Sequence, residues 1–224
     1  MNTQKRIAIA IIGAAVIIAA AIVYVDIALP SGSANGSPVA APAIGNDPFI
    51  GSPTAPLTLY YWRDFQCPFC KQFDTETLPA LVSAYVDTGK LRIVFKDYVF
   101  LGTGSVTAAA ISHAVWNAAP AQYYAWQNAV FSGQGSEGSG WATAANLLSI
   151  AGSVPGIPTS TVAALAARNA SAYQAAATAD YLDAQRLGIQ GTPGFWLDGQ
   201  AFTGAQPLGF FEQIINADLA QHHA

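Results

Sequence analysis

The chain has 224 residues, of which 52% are hydrophobic and 10% carry a charge, and its formal net charge is −4. This length is enough for one domain with a well-buried core, while two cysteines are too few for a disulfide-stapled scaffold. The acidic balance and the lack of a basic cluster argue against nucleic acid and against anionic lipid surfaces as binding partners.

Residues 7–25 form an unbroken apolar run without a charged residue, with Lys5 and Arg6 before it and Asp26 after it. At about 1.5 Å of helix rise per residue, the run covers most of a hydrocarbon core about 30 Å thick. It predicts a single transmembrane anchor, and the positive-inside rule places residues 1–6 in the cytoplasm and the rest of the chain outside. A cleaved signal peptide is the alternative, which would leave the protein secreted or periplasmic. Its apolar region usually runs for roughly 7–15 residues, which is shorter than this run.

A linker and two strands follow the apolar run. Residues 26–47 are rich in Pro, Gly, Ser and Ala, which predicts a flexible linker before a folded domain over 48–224. Residues 57–62 and 91–98 are rich in β-branched, aromatic and leucine side chains, which is typical of buried strands. The segment between them is long enough for a helix, as in a β-α-β unit.

The rest of the domain is helical before it returns to strands. An Ala-rich block over about 104–170 has helical spacing, apart from a glycine-rich loop over 133–140. We interpret the block as a helical subdomain inserted into an α/β domain. A long helix over 172–187 leads to two short strands, which the turn Asp198–Gly199 joins as a hairpin, and a helix over 210–219 follows. This order predicts a three-layer α/β fold with a helical cap.

The two cysteines of the sequence, Cys67 and Cys70, stand two residues apart after the first predicted strand. A helix is expected to begin at Cys67, with Pro68 in its first turn, and to bend at Pro79 on its way to Tyr85. Such a Cys-x-x-Cys pair at a strand-to-helix junction is typical of thiol–disulfide exchange. Cys67 is the candidate nucleophile because helix N-terminal amides favour its thiolate. Cys70, one turn later, is the candidate resolving cysteine.

Two other interpretations of this pair stay open. A purely structural disulfide would close a loop of only two residues, which contributes little closure entropy. Half of a metal site would need about four nitrogen or sulfur ligands for zinc. His113 lies in a predicted helix, and His222 and His223 lie near the end of the sequence.

The neighbours of the cysteines are candidates for tuning the chemistry. Pro68 and Phe69 separate the sulfurs, and Phe69 has no charge with which to stabilise a thiolate. We therefore expect a milder oxidant than a site with a protonated histidine at that position would be. Phe69 itself either grips substrates or packs into the protein. Asp64 could relay protons to and from Cys70, or it could form a solvated charge pair with Arg63.

Several segments together resemble the DsbA-like branch of the thioredoxin superfamily, in particular its membrane-anchored thiol–disulfide oxidoreductases. They include Cys67–Pro68–Phe69–Cys70, residues 188–193 ending in Thr192–Pro193, and residues 203–207 before the last helix. The resemblance implies a thioredoxin fold with an inserted helical domain. It also implies a cis peptide between Thr192 and Pro193 beside the disulfide, whose exposed backbone would pair with a substrate peptide. Gly194, smaller than its counterpart in many relatives, is expected to widen that groove.

The resulting hypothesis is a membrane-tethered, extracytoplasmic oxidoreductase that introduces disulfides into exported proteins. Its redox group is the Cys67–Cys70 pair itself, with no other cofactor and no metal. The resemblance suggests that a quinone-linked membrane partner reoxidises it, and a monomer is expected. The alternatives are a disulfide reductase or isomerase, a redox-inert peptide-binding or chaperone module on the same fold, and a thiol-dependent copper or zinc carrier.

Overall fold

The computed structural model describes residues 40–222. The predicted cytoplasmic segment 1–6, the predicted anchor 7–25 and most of the predicted linker 26–47 lie outside the described residues. Within residues 40–222, no helix has both the length and the apolar character needed to cross a membrane.

A five-stranded sheet with the order β1-β3-β2-β4-β5 forms the centre of the domain. β2 runs parallel to β3, and the other neighbouring strands are antiparallel. The strand bounds are β1 Phe49–Ile50, β2 Leu57–Arg63, β3 Leu91–Asp97, β4 Gly194–Leu197 and β5 Gln200–Thr203.

Strands β2 and β3 are almost entirely buried, which explains why their sequences are rich in apolar residues, although β3 also carries the buried Lys96 and Asp97. Alternate side chains of β2 enter two different cores. Leu59 and Tyr61 belong to the larger core, whereas Tyr60 and Trp62 belong to a smaller core on the other face. The sheet is therefore covered by helices on both faces, as the predicted three-layer architecture requires.

Eight α-helices surround this sheet in the described part of the chain. Their bounds are α1 Pro68–Gln72, α2 Leu78–Leu81, α3 Thr103–Ala118, α4 Tyr123–Ser132, α5 Ala144–Ser153, α6 Thr159–Arg168, α7 Ala170–Arg186 and α8 Leu208–His222. Helices α3 to α6 form the inserted helical block, which the sequence predicts at nearly the same position. Helix α7 packs on the face of the smaller core, and α8 packs on that of the larger one.

The helix after Cys67 differs from the prediction of one α-helix bent at Pro79. Two π-helical segments, Phe73–Thr77 and Val82–Val86, alternate with α1 and α2. Pro79 has no N–H with which to continue the α-helical ladder. The chain accommodates the proline by widening the turn before it, and it remains helical from residue 68 to residue 86.

Strand β1 is absent from the predicted order, whereas the terminal hairpin is confirmed. The two residues of β1 pair with Val94 and Ile93, and two residues are too short to carry a periodic signal. In the hairpin, Asp198 and Gly199 both have positive φ angles, of 42° and 89°. Asp-Gly sequences favour such a turn between β4 and β5.

Candidate active site

The cysteine pair lies where β2 ends and α1 begins. Cys67 is the N-cap of α1 with an extended backbone (φ −75°, ψ 121°), and Pro68 occupies the first turn. The Cys67 carbonyl accepts the first helical hydrogen bond from the Lys71 N–H at 3.1 Å. Both cysteines are buried free thiols, with Cys67 4% exposed and Cys70 not exposed at all. Of the two, Cys67 is therefore the more accessible to a thiol from solution.

The two thiols are held at very different pKa values. A hydrogen bond from the Cys70 thiol lowers the pKa of Cys67 to about 6 against the opposing effect of burial, with help from Thr192 and from the Phe69 and Cys70 amides. Burial and the hydrogen bond with Cys67 raise the pKa of Cys70 well above its usual value. At neutral pH this combination gives a thiolate at Cys67 and a protonated thiol at Cys70, which suits the predicted roles of nucleophile and resolving cysteine.

The loop before β4 closes the other side of the site. Trp62 near the end of β2 pairs with Gly194 at the start of β4, so the preceding residues, Thr192 and Pro193, lie next to Cys67. The Thr192–Pro193 peptide is cis, as the resemblance implies. The Cys67 thiol donates a hydrogen bond to the Thr192 carbonyl at 3.5 Å. The hydroxyl oxygen of Thr192 is buried and has no hydrogen-bond partner among the described residues.

The structure decides the expectations about Phe69 and Gly194. The side chain of Phe69 is 60% exposed, so the interpretation that it packs into the protein is wrong. It presents an apolar surface beside Cys67 that a substrate could contact. The expectation that Gly194 widens the groove is also wrong. A Cβ atom on Gly194 would lie 2.3 Å from Cγ2 of the buried Ile189, so the glycine is needed for close packing behind the site.

Asp64 is buried and stabilises the active-site turn, which is formed by Phe65, Gln66 and Cys67. Its carboxylate accepts hydrogen bonds from the backbone N–H groups of Gln66, Phe100 and Leu101 and from the Ser105 hydroxyl. Burial raises its pKa, and these hydrogen bonds oppose the rise. Within the described residues, none of the carboxylate's hydrogen bonds goes to either sulfur. A proton-relay role for Asp64 stays a prediction.

The alternative of a solvated charge pair between Arg63 and Asp64 is wrong. Both side chains are buried, and the Arg63 guanidinium turns to Asp97, at 3.4 Å, and to the hydroxyls of Ser112 and Tyr123. Successive residues at the end of a strand point to opposite faces of the sheet. The side chains of Arg63 and Asp64 therefore point away from each other although the residues are neighbours in the sequence.

A second buried carboxyl group, Asp74, lies one helical turn after Cys70 and escaped the sequence reasoning. It accepts hydrogen bonds from the Tyr61 hydroxyl and from Nε2 of Gln127, and burial raises its pKa to about 7. Burial and the electrostatic influence of the neighbouring Asp74 and Cys70 side chains raise the pKa of Tyr61 well above its usual value. Tyr61 therefore lies within electrostatic range of both groups. The spacing of four residues from Cys70 is the sequence signal that could have identified Asp74.

Gln134, in the loop predicted over 133–140, also reaches the active-site turn. Its Nε2 donates hydrogen bonds to the carbonyl oxygens of Phe65, at 2.8 Å, and of Cys67, at 3.0 Å. No motif in the sequence marks this glutamine, because the contact joins residues more than sixty positions apart.

Within residues 40–222, no group of three or more His, Cys, Asp or Glu side chains is placed to hold a metal ion. His113 instead pairs with Asp97, with Nε2 3.1 Å from the carboxylate, and stacks on Tyr173.

Comparison with known proteins identifies relatives of this chain. The family model described as Thioredoxin matches residues 44–217. Disulfide bond formation protein D of Bacillus subtilis is 26% identical over 178 residues, covering 80% of this chain and 79% of that protein. The structure of oxidised BdbD from Bacillus subtilis has a TM-score of 0.72 at 24% identity, covering 80% of this chain and 96% of that one. Chlamydia trachomatis DsbA has a TM-score of 0.69 at 22% identity, covering 81% and 94%. At these identities the two structures show the fold.

Proposed function

The chain belongs to the thioredoxin family, and from that premise we propose that it is an extracytoplasmic dithiol oxidase that introduces disulfides into exported proteins. The class of thiol–disulfide oxidoreductase follows from the family and from the relationship to Disulfide bond formation protein D. We propose the direction of electron flow, the roles of the individual residues and the location of the protein. The observation that carries the direction is the lowered pKa of Cys67, at about 6, beside the raised pKa of Cys70.

In the proposed reaction, a substrate thiolate attacks the Cys67 sulfur of the oxidised Cys67–Cys70 pair. A mixed disulfide forms, the Cys67–Cys70 bond breaks, and Cys70 leaves as a thiolate that takes up a proton because it is buried. A second substrate thiolate then attacks the substrate sulfur of the mixed disulfide, and Cys67 leaves as a thiolate. The substrate loses two electrons to the pair, so the pair is itself the redox group and no bound cofactor is required.

Stabilisation of the reduced form supports the oxidase direction. A thiolate that is stable at neutral pH is a good leaving group, and it makes the disulfide a stronger oxidant. The pKa of about 6 at Cys67 lies between the values of about 3.5 for a strongly oxidising site and about 7 for thioredoxin. This position agrees with the milder oxidant expected from the uncharged Phe69.

The Cys70 thiolate needs a proton donor, and two buried carboxyl groups are candidates. Asp64 lies three residues before Cys67, but its carboxylate is engaged by loop amides. Asp74, with a pKa of about 7, is protonated in part at neutral pH, and it accepts a hydrogen bond from Tyr61, whose pKa responds to both Asp74 and Cys70. We favour Asp74, acting through the Tyr61 hydroxyl, as the proton source, and Asp64 as a brace of the turn.

The proposed location is supported by the sequence. The apolar run over 7–25 would anchor a monomeric chain in the cell membrane, and the linker over 26–47 would carry the domain over 48–224 on the extracytoplasmic side. An oxidase there has to return its two electrons to an acceptor. A quinone-linked membrane partner would reoxidise the Cys67–Cys70 pair at the same surface where Phe69 and the Thr192–Pro193 loop receive substrates.

The reduction potential of the purified protein, equilibrated against glutathione buffers, tests the direction. We expect a value nearer to about −120 mV than to about −270 mV, since the former is typical of an oxidase and the latter of a reductase. A value near about −270 mV would reject the oxidase in favour of a reductase. In Cys70→Ala the Cys67 thiolate can attack a substrate disulfide and expel one substrate thiolate, but no resolving thiol remains, so this variant is expected to trap mixed disulfides with disulfide-bonded substrate proteins, and Cys67→Ala to trap none. Full activity of Cys67→Ala would instead indicate a redox-inert binding module.

A further inference from the structure

We propose that Gln134 is a positioning residue, which sets the reactivity of Cys67 by holding the active-site turn from the helical insertion. The inference depends on the proposed role of Cys67 as the nucleophile, and it does not depend on the direction of electron flow. The amide group of Gln134 bridges two carbonyl oxygens of the turn, those of Phe65 and Cys67, at 2.8 and 3.0 Å.

Gln134 is itself held in place by helix α4. Its backbone N–H donates to the Phe131 carbonyl at 3.2 Å, in the turn that ends the helix. Its own carbonyl accepts a hydrogen bond from Nζ of Lys71 at 3.5 Å, which connects the loop to α1. On the next residue, a Cβ atom would lie 2.8 Å from the Trp141 side chain, so the backbone of the loop approaches this ring closely.

The turn is fixed to the same helix by a second contact. The ring of Phe65 stacks on Phe131, with centroids 5.1 Å apart, and packs edge-on against Trp126, at 5.4 Å. Phe65 is thus anchored by its side chain to α4 and by its carbonyl to Gln134. The two ends of the turn, Phe65 and Cys67, cannot move independently while this pair of contacts persists.

Holding the Cys67 carbonyl fixes the N-cap geometry on which the low thiol pKa depends. With Cys67 extended, the first-turn amides of Phe69 and Cys70 hydrogen-bond to its sulfur and lower its pKa. The Cys67 carbonyl also accepts the Lys71 N–H, so Gln134 supports the same oxygen that starts the helix. Loss of the Gln134 amide would let the cap rotate and would weaken these amide–thiolate contacts.

The variant Gln134→Met tests this role, because it keeps the length of the side chain and removes both donors. We expect the pKa of Cys67 to rise by about half a unit, as loss of part of a helix N-terminal interaction would produce. The disulfide should then become less oxidising, with the equilibrium constant against glutathione falling by about threefold. The pKa is read from the ultraviolet absorbance of the thiolate, and the constant from glutathione titration.

Glu137→Met is the matched control, since Glu137 lies in the same loop and its side chain is exposed. It should leave both quantities unchanged. A Gln134→Met protein that melts at a lower temperature but keeps the wild-type Cys67 pKa and potential would overturn the proposal, because its role would then be structural alone. If Gln134→Met does not fold, Gln134→Asn, which keeps the amide on a shorter stem, should give a smaller shift in the same direction. An unchanged pKa in that variant would equally overturn it.

These outcomes are separate from those of the proposed function. A wild-type potential near that of a reductase would reject the oxidase while leaving the Gln134 shift intact. An oxidase-like wild type with no shift in either Gln134 variant would reject the positioning role alone.

Discussion

Thr192 contributes the polar group that is most directly placed to act on both sulfurs. Its buried hydroxyl has no hydrogen-bond partner elsewhere in the described chain, and its side chain lowers the pKa of Cys67 and opposes the rise at Cys70. A buried hydroxyl without a partner is costly, so a thiolate at Cys67 provides this group with its acceptor. The side chain of Thr192 thus stabilises the reduced form, while its backbone is predicted to pair with a substrate peptide.

We expect Thr192→Val to raise the pKa of Cys67 by about one unit, because the valine has the same shape but cannot donate a hydrogen bond to the thiolate. Thiolate absorbance as a function of pH measures the change. Thr192→Ser keeps the hydroxyl and should stay close to the wild-type value of about 6. Equal pKa values in the valine and serine variants would mean that the hydroxyl does not act on Cys67.

At the scale of elements, a buried charge cluster joins the segment before β1 to β3 and α7. Nζ of Lys96 on β3 pairs with Asp47 and, at 2.8 Å, with Asp180 of α7. The other oxygen of Asp180 accepts the backbone N–H of Asp97 at 2.8 Å. Charges with this degree of burial are tolerated only when each has partners, so the three elements depend on one another.

Replacing Lys96 by methionine is expected to lower the free energy of unfolding by about 3–5 kcal/mol, because two buried carboxylates would lose their shared cation. Urea denaturation measures the loss. Lys90→Met, which changes an exposed lysine outside this cluster, serves as the control and should be close to neutral. A loss of less than about 1 kcal/mol in Lys96→Met would show that the carboxyl groups are neutral without the lysine.

The elements that the sequence predicts well are those with strong local signals. Strands β2 and β3 are rich in apolar and β-branched or aromatic residues, and the Asp198–Gly199 turn defines the terminal hairpin. The helical insertion is visible from its alanine-rich periodicity. In contrast, β1 consists of two residues whose pairing depends on β3 being in place, and the π-helical segments depend on how Pro79 is packed.

The active site shows the same contrast between residues with a strong local sequence signal and residues without one. Cys67, Cys70 and the Thr192–Pro193 loop belong to motifs and could be proposed from the sequence alone. Gln134 and Asp74 act through contacts that exist only once the helical insertion is folded against the sheet domain, since their partners are Phe65, Cys67, Tyr61 and Gln127. Long-range polar contacts of this kind have no sequence period, and the four-residue spacing of Asp74 from Cys70 is the one local signal for either residue.

At the scale of the whole domain, the helical insertion and the sheet meet around the active-site turn. Leu101, just before the insertion, and Ser105, in its first helix, hold the turn through Asp64 and Gln66, and Gln134 holds it from the loop after α4. The insertion therefore supports the proposed redox centre as well as covering the sheet domain. Below the turn, the two parts meet again where Gln127 of the insertion and Tyr61 of the sheet share Asp74.

This shared carboxyl group makes the stability of the domain depend on pH. Burial raises the pKa of Asp74 to about 7 in the folded chain, whereas an unfolded aspartate titrates near 3.9. Between these values the folded state binds the extra proton, so stability falls as pH rises from about 4 to about 7. Cys67 contributes a slope of opposite sign, because its folded pKa is lowered to about 6, and its stabilisation grows as pH rises above that value.

Comparison of the wild type with Asp74→Asn isolates the carboxyl group, because the contribution of Cys67 is common to both proteins. Asparagine cannot ionise, and its amide can still bond to Tyr61 and Gln127. Between pH 5 and pH 7 we expect the wild type to lose about 2 kcal/mol of unfolding free energy relative to the variant, since the slope of about 1.4 kcal/mol for each pH unit falls to half of that at the folded pKa of about 7. Denaturant titrations of both reduced proteins at the two pH values measure the difference. Parallel stability profiles would mean that Asp74 titrates normally, and they would remove it as the proton source for Cys70.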